Sequence, residues 1–127
     1  MRKIVQIVAL MLVIILAAGA VGCGEPKRPK GVEDDLYEYG KSVIAMLDGF
    51  LDGDITAKEV SEEWTNRIPI EAGLMDEHPK GTVEQQVNWD VVHYVISATY
   101  QIESKSQDEI LEVRNAIAKM IGVKPRK

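Results

Sequence analysis

Residues 82 to 104 place the strongest constraint on how this chain can fold. Val83, Val87, Val91, Tyr94, Val95, Ala98 and Ile102 recur at three- and four-residue spacing and form one apolar stripe, while Trp89, Val92, Ile96 and Tyr100 form a second. A helix with one stripe is satisfied by one neighbour; two stripes require packing on two sides. β-branched residues are mediocre helix formers, so a buried strand at Val91 to Ile96 competes. Thr82 as N-cap and a helical pattern sustained to Ser104 favour the helix.

Three further segments supply the neighbours. Val32 to Leu51 carries Leu36, Tyr39, Val43, Leu47 and Phe50 on one face, flanked by Ile44 and Leu51. Glu33, Asp34 and Asp35 fall in its first turn, where carboxylates favour the positive end of the helix dipole, so the trio reads as helix-start chemistry rather than a metal site. Thr56 to Ile68 sets Ala57, Val60, Trp64 and Ile68 inward and Glu59, Glu62, Glu63 and Arg67 outward, and Pro69 is expected to stop it. Trp64 is read as a core or core-edge side chain. Ser106 to Ile121 opens with Ser106 and Glu109 as a capping box and turns Ile110, Val113, Ile117 and Met120 or Ile121 inward; Gly122 ends it. Pro69 to Gly81 reads as a connection with at most one helical turn around Glu71 to Met75, long enough to carry function. The expected fold is all-α, a bundle of about four helices over residues 32–123, with residues 124–127 a frayed basic tail.

Upstream, the composition changes. Arg2 and Lys3 precede an apolar run from Ile4 to Leu16 broken only by Gln6, and Ala17, Ala18, Gly19, Ala20 and Gly22 follow. This is the basic start, apolar centre and small-residue end of an export signal. The ending Ala20-Val21-Gly22-Cys23 resembles the lipobox of bacterial lipoproteins, with Ala20 where Leu is commonest. The resemblance covers the leader alone. It implies that residues 1–22 are a signal peptide and that Cys23 is the lipid-attachment residue, acylated through a thioether. The remaining chain would then be lipid-anchored at the cell membrane, facing outside the cytoplasm. Two acyl chains suffice for stable anchoring where one does not. The competing reading is an uncleaved span, because Ile4 to Val21 approaches the ~20 apolar residues a membrane requires. Residues 23–31, with Pro26, Pro29, Lys27, Arg28 and Lys30, read as a flexible basic tether.

Past Cys23 lie 104 residues, enough for one modest core and no second domain. Cys23 is the only cysteine, so acylating it leaves neither a disulfide nor a thiolate ligand. Without Arg2 and Lys3, 13 of the 15 Lys and Arg remain against 20 Asp and Glu, a net charge of −7. The positive residues gather at the two ends, in Lys27, Arg28 and Lys30 and in Lys124, Arg126 and Lys127. Nucleic-acid binding, which needs a basic face, is disfavoured.

One internal segment resembles a known site. Asp48 to Glu59 looks like an EF-hand calcium loop, with Asp48, Asp52, Gly53, Ile55 and Glu59 at its first, fifth, sixth, eighth and twelfth positions. Phe50 departs from the pattern, standing where the third position needs an oxygen. A helix-turn-helix explains the same residues: Gly53 as the left-handed end of the first helix, Thr56 and Glu59 as a capping box, and Ile55 as a hydrophobic staple onto Val60. The candidate metal residues Asp48, Asp52, Asp54 and Glu59 are therefore the weaker reading, and no cofactor is expected. His78 reads as a solvated loop residue. His93, inside an apolar stretch, reads as a structural histidine, since neither a nucleophile nor an orienting carboxylate is identifiable. The functional expectation is a non-enzymatic, membrane-anchored module contacting an envelope or extracellular protein. The alternative is a small-ligand or calcium-binding module at Asp48 to Glu59.

Overall fold

The computed structural model describes residues 27–127. Four α-helices make up the fold: α1 (Asp34–Leu51), α2 (Ala57–Asp76), α3 (Val83–Thr99) and α4 (Gln107–Ile121), with a 3-10 turn at Ile102–Ser104. This is the small all-α bundle that the periodicity predicts. The leader, Cys23 and the alternative of an uncleaved span lie outside the described residues. No described helix is long and apolar enough to cross a membrane.

Helix starts follow from local chemistry. The Thr56 side chain accepts from the Glu59 backbone N–H while the Glu59 carboxylate accepts from Thr56 N–H, and Ser106 and Glu109 repeat the arrangement at α4. Thr82 accepts from Gln85 N–H at the start of α3. Each cap stabilises its helix by about 1 kcal/mol. Gly53 at φ +80° and Gly122 at φ +84° turn the chain at the ends of α1 and α4.

The apolar faces then choose partners. α1 packs chiefly on α4 and α2 chiefly on α3, while α3 also meets α4 and α1. Leu36, Val43 and Leu47 from α1, Val91, Val92 and Val95 from α3, and Ile110, Ile117 and Ile121 from α4 are buried to 1% exposure or less. Each such side chain contributes about 1.5–3 kcal/mol by leaving water. The first stripe of α3 is buried at Val91, Val95, Ala98 and Ile102 and partly buried at Tyr94, although Val83 at its start is exposed. The second stripe is only partly covered: Val92 is buried, but Trp89 and Tyr100 are 42% and 67% exposed.

Four sequence expectations are corrected. Pro69 does not stop α2, which runs on to Asp76. Proline removes one helical hydrogen bond and costs about 3 kcal/mol. Packing on both sides offsets this: Val60 lies in the core before it, and Leu74 and Glu71 are buried after it. Ile68 is 44% exposed rather than inward, and Arg67 folds over α1 to reach Ser42 and Met46. The connection expected over Pro69 to Gly81 therefore shrinks to residues 77–82. α3 ends at Thr99, not Ser104, because Tyr100 leaves in an extended conformation and Gln101 adopts φ +52°, which carries Ile102 into the core.

Both ends of the described segment are also held. Gly122 sits so close to the N-terminal segment that a Cβ there would fall 2.6 Å from Arg28 Cα and from Lys27 O. The backbone of the expected tether thus meets the end of α4 at Lys27 and Arg28 and approaches Val83 and Val87 of α3 at Gly31, while Lys27 to Lys30 stay exposed. The expected frayed tail is pinned as well, with Arg126 N–H donating to Asn115 Oδ1 and Asn115 Nδ2 donating to Arg126 O, each at 2.7 Å.

Candidate functional site

Asp48, Asp52, Asp54 and Glu59 do not converge on an ion. Asp48 lies in the last turn of α1, where its two carboxylate oxygens accept from Arg114 Nε at 3.0 Å and Nη2 at 3.3 Å. Arg126 adds a bond to Asp48 at 3.1 Å and one to Asp52 at 2.5 Å. These carboxylates, Asp52 first, raise the Arg126 pKa above its ordinary value. Arg114, only 8% exposed, also donates to Lys124 O and Asn115 Oδ1, which is what fixes the tail. Glu59 closes the cap of α2, Asp54 is exposed, and Phe50 packs against the core. The helix-turn-helix reading accounts for this segment, and calcium there would have to displace two arginines.

A different cluster forms where the start of α1 meets the end of α2. Glu33, the N-cap of α1, makes no cap bond with its side chain. It places Oε1 2.6 Å from His78 Nε2, and Glu77 Oε2 lies 3.6 Å from the same nitrogen. His78 Nε2 is shielded from solvent and, despite the close Glu33 oxygen, makes no well-formed hydrogen bond. Asn88 of α3, 1% exposed, donates from Nδ2 to Glu77 Oε2 at 3.2 Å and to Leu74 O at 2.8 Å, and its Oδ1 receives no donor. Asp35 reaches the Glu77 carboxyl. Their hydrogen bond, followed by burial, pushes the Glu77 pKa above the ordinary carboxylate range.

Sequence reasoning treated the acidic trio and His78 separately. Asp34 pairs with Arg28 and Asp35 bonds Leu36 N–H, as helix-start residues should. Glu33 instead turns to His78, and nothing local in the sequence links residues so far apart. His78 is not a solvated loop residue, its side chain being 21% exposed. His93 is exposed rather than enclosed, with its ring centroid 4.3 Å from that of Trp89. The remaining buried acid, Glu71, accepts from the Tyr39 hydroxyl at 2.5 Å between α1 and α2. Burial raises the pKa of both groups.

The exposed apolar side chains are unevenly distributed. Ile68 and Ile70 on α2, Val83 and Trp89 on α3, and Tyr100 just beyond α3 are the large ones; α1 and α4 present none. Between α2 and α3 a cleft of about 270 Å³ is lined by Trp64, Thr65, Ile96, Thr99 and Tyr100. Trp64 Nε1, buried beside it, has no acceptor. No protein-family model, curated protein or solved structure matches this chain.

Proposed function

We propose that this chain is a bacterial surface lipoprotein, anchored through Cys23, whose helical domain is a non-enzymatic module for docking another envelope or extracellular protein. The ending Ala20-Val21-Gly22-Cys23 supports the anchor, and the spacing of the chain says where it would hold the domain. Cys23 and Lys27 are four residues apart, and Lys27 already lies against Gly122. Four residues span at most about 14 Å, so an acylated Cys23 would hold the domain against the membrane. Arg126 is held at the far end of α1 by Asp48 and Asp52, whereas Arg28 pairs with Asp34 at its start, so the basic residues nearest the anchor are Lys27 and Arg28. Near an anionic surface such residues contribute ~1 kcal/mol each.

The docking surface is the α2–α3 side, which carries the exposed apolar side chains and the unpartnered indole N–H of Trp64. Aromatic residues at an exposed seam are favoured anchors for protein partners. The anchor is tested by labelling cells with an alkyne fatty acid. Full-length protein is expected to take the label and sediment with membranes; Cys23→Ser is expected to do neither, and labelled Cys23→Ser would contradict the reading. Docking is tested with a photoreactive amino acid at Trp89 or Tyr100 and, as a control, at Lys41 on α1. Crosslinks to another protein from the first two positions alone support the α2–α3 surface, and equal or absent crosslinking from all three contradicts it.

A further inference from the structure

We propose that Glu33, Glu77 and His78 form a binding site for one divalent transition-metal ion of the zinc class, with Asn88 orienting Glu77. Zinc bonds imidazole nitrogen and carboxylate oxygen at about 2.0–2.2 Å, which places neighbouring ligand atoms about 3–3.5 Å apart. His78 Nε2 stands 2.6 Å from Glu33 Oε1 and 3.6 Å from Glu77 Oε2, and all three ligand atoms lie within 4.8 Å of one another. Lengthening the first separation by roughly 0.4–0.9 Å, with almost no change in the second, would bring both to that spacing.

Two buried atoms at this place lack partners in the described residues. His78 Nε2 is enclosed and makes no hydrogen bond, and Asn88 Oδ1 is enclosed without a donor. An imidazole nitrogen this close to two carboxylate oxygens, with a well-formed hydrogen bond to neither, can take up a cation after a small rotation of its ring. Charge agrees with geometry. Glu33 and Glu77 face one imidazole, Asp35 adds its carboxyl beside Glu77, and among the described residues no Lys or Arg pairs with any of the three. A divalent cation would supply the missing positive charge. The nitrogen ligand selects the zinc class over magnesium or calcium, which take oxygen. Asn88, held in place by Leu74 O, fixes Glu77 as outer-shell groups fix metal ligands. Three protein ligands leave at least one position for water or a partner's side chain. The bound ion would tie the first residue of α1 to the end of α2, independently of any anchor at Cys23.

The test uses full-length protein purified in detergent and stripped with a chelator. Calorimetry with zinc chloride is expected to give one ion per chain, and cobalt chloride is expected to produce visible d–d absorption. His78→Ala and Glu33→Gln are each expected to weaken zinc binding by about 10- to 100-fold or more. His93→Ala is expected to bind like the unmodified protein. Circular dichroism checks that the variants remain helical, and Glu33→Gln, altered at an exposed cap, decides the question if His78→Ala does not fold. Absence of binding, or unchanged binding in Glu33→Gln and any folded His78→Ala, would overturn the site.

Discussion

Two acidic clusters in this bundle have opposite fates. At one end of α1, Asp48 and Asp52 are met by Arg114 and Arg126, and the carboxylate oxygens of Asp48 are occupied by guanidinium donors. At the other end, Glu33 and Glu77 share a single histidine whose Nε2 makes no hydrogen bond, and Asp35 adds a third carboxyl beside Glu77. The first cluster is a closed clasp that holds the tail to the bundle. The second is under-compensated, and folding alone gives no reason to gather its charges. A group of acids therefore becomes a candidate site only after the surrounding cations have been counted.

The largest expected effect is at the clasp. Asp48→Ala leaves a nearly buried arginine without its main partner and is expected to cost roughly 2–4 kcal/mol in urea denaturation. Arg126→Ala, which removes a more exposed and solvent-screened member, is expected to cost clearly less than Asp48→Ala. If Asp48→Ala costs no more than Arg126→Ala, the clasp is only a surface ion pair.

An intermediate effect is expected at Glu71, a buried acid belonging to neither cluster. Tyr39→Phe leaves its carboxyl without the hydroxyl donor and is expected to cost about 1–3 kcal/mol near neutral pH. The pKa of Glu71 is raised in the folded state, so its contribution is full below the ordinary carboxyl range and falls as pH rises through the raised value. The cost of Tyr39→Phe should accordingly shrink at acid pH. A cost independent of pH would mean that Glu71 does not carry this linkage.

The smallest effect is expected in the open cluster. Glu77→Gln relieves the repulsion with Asp35 and, after solvent screening, should stabilise the metal-free protein by a few tenths of a kcal/mol. The Glu77 pKa is raised too, so this gain should appear only as pH rises above the ordinary carboxyl range. A loss of stability instead would make the cluster a second clasp and erase the contrast.

The four helices were legible because their signals are local. Thr56 with Glu59 and Ser106 with Glu109 announce their caps within four residues, and Leu36, Val43 and Leu47 announce their face by spacing alone. Pro69 misled because its local penalty is outweighed by contacts that Glu71 and Leu74 make with distant helices. The tail misled for the same reason, since the partners of Arg126 lie on α1 and α4. The His78 cluster had no sequence signal at all. It unites the N-cap of α1, the last residues of α2 and a buried Asn88 of α3, and only the packing of three helices brings them together.

Hydrogen exchange on the full chain, with and without zinc, tests the contrast between the clusters most directly. The Arg126 amide, bonded to Asn115, is expected to be protected in the metal-free protein and unchanged by zinc, while the amides around Glu33 and His78 gain protection only when zinc is added. Zinc-induced protection at both clusters, or at neither, would contradict the distinction between a closed clasp and an open site.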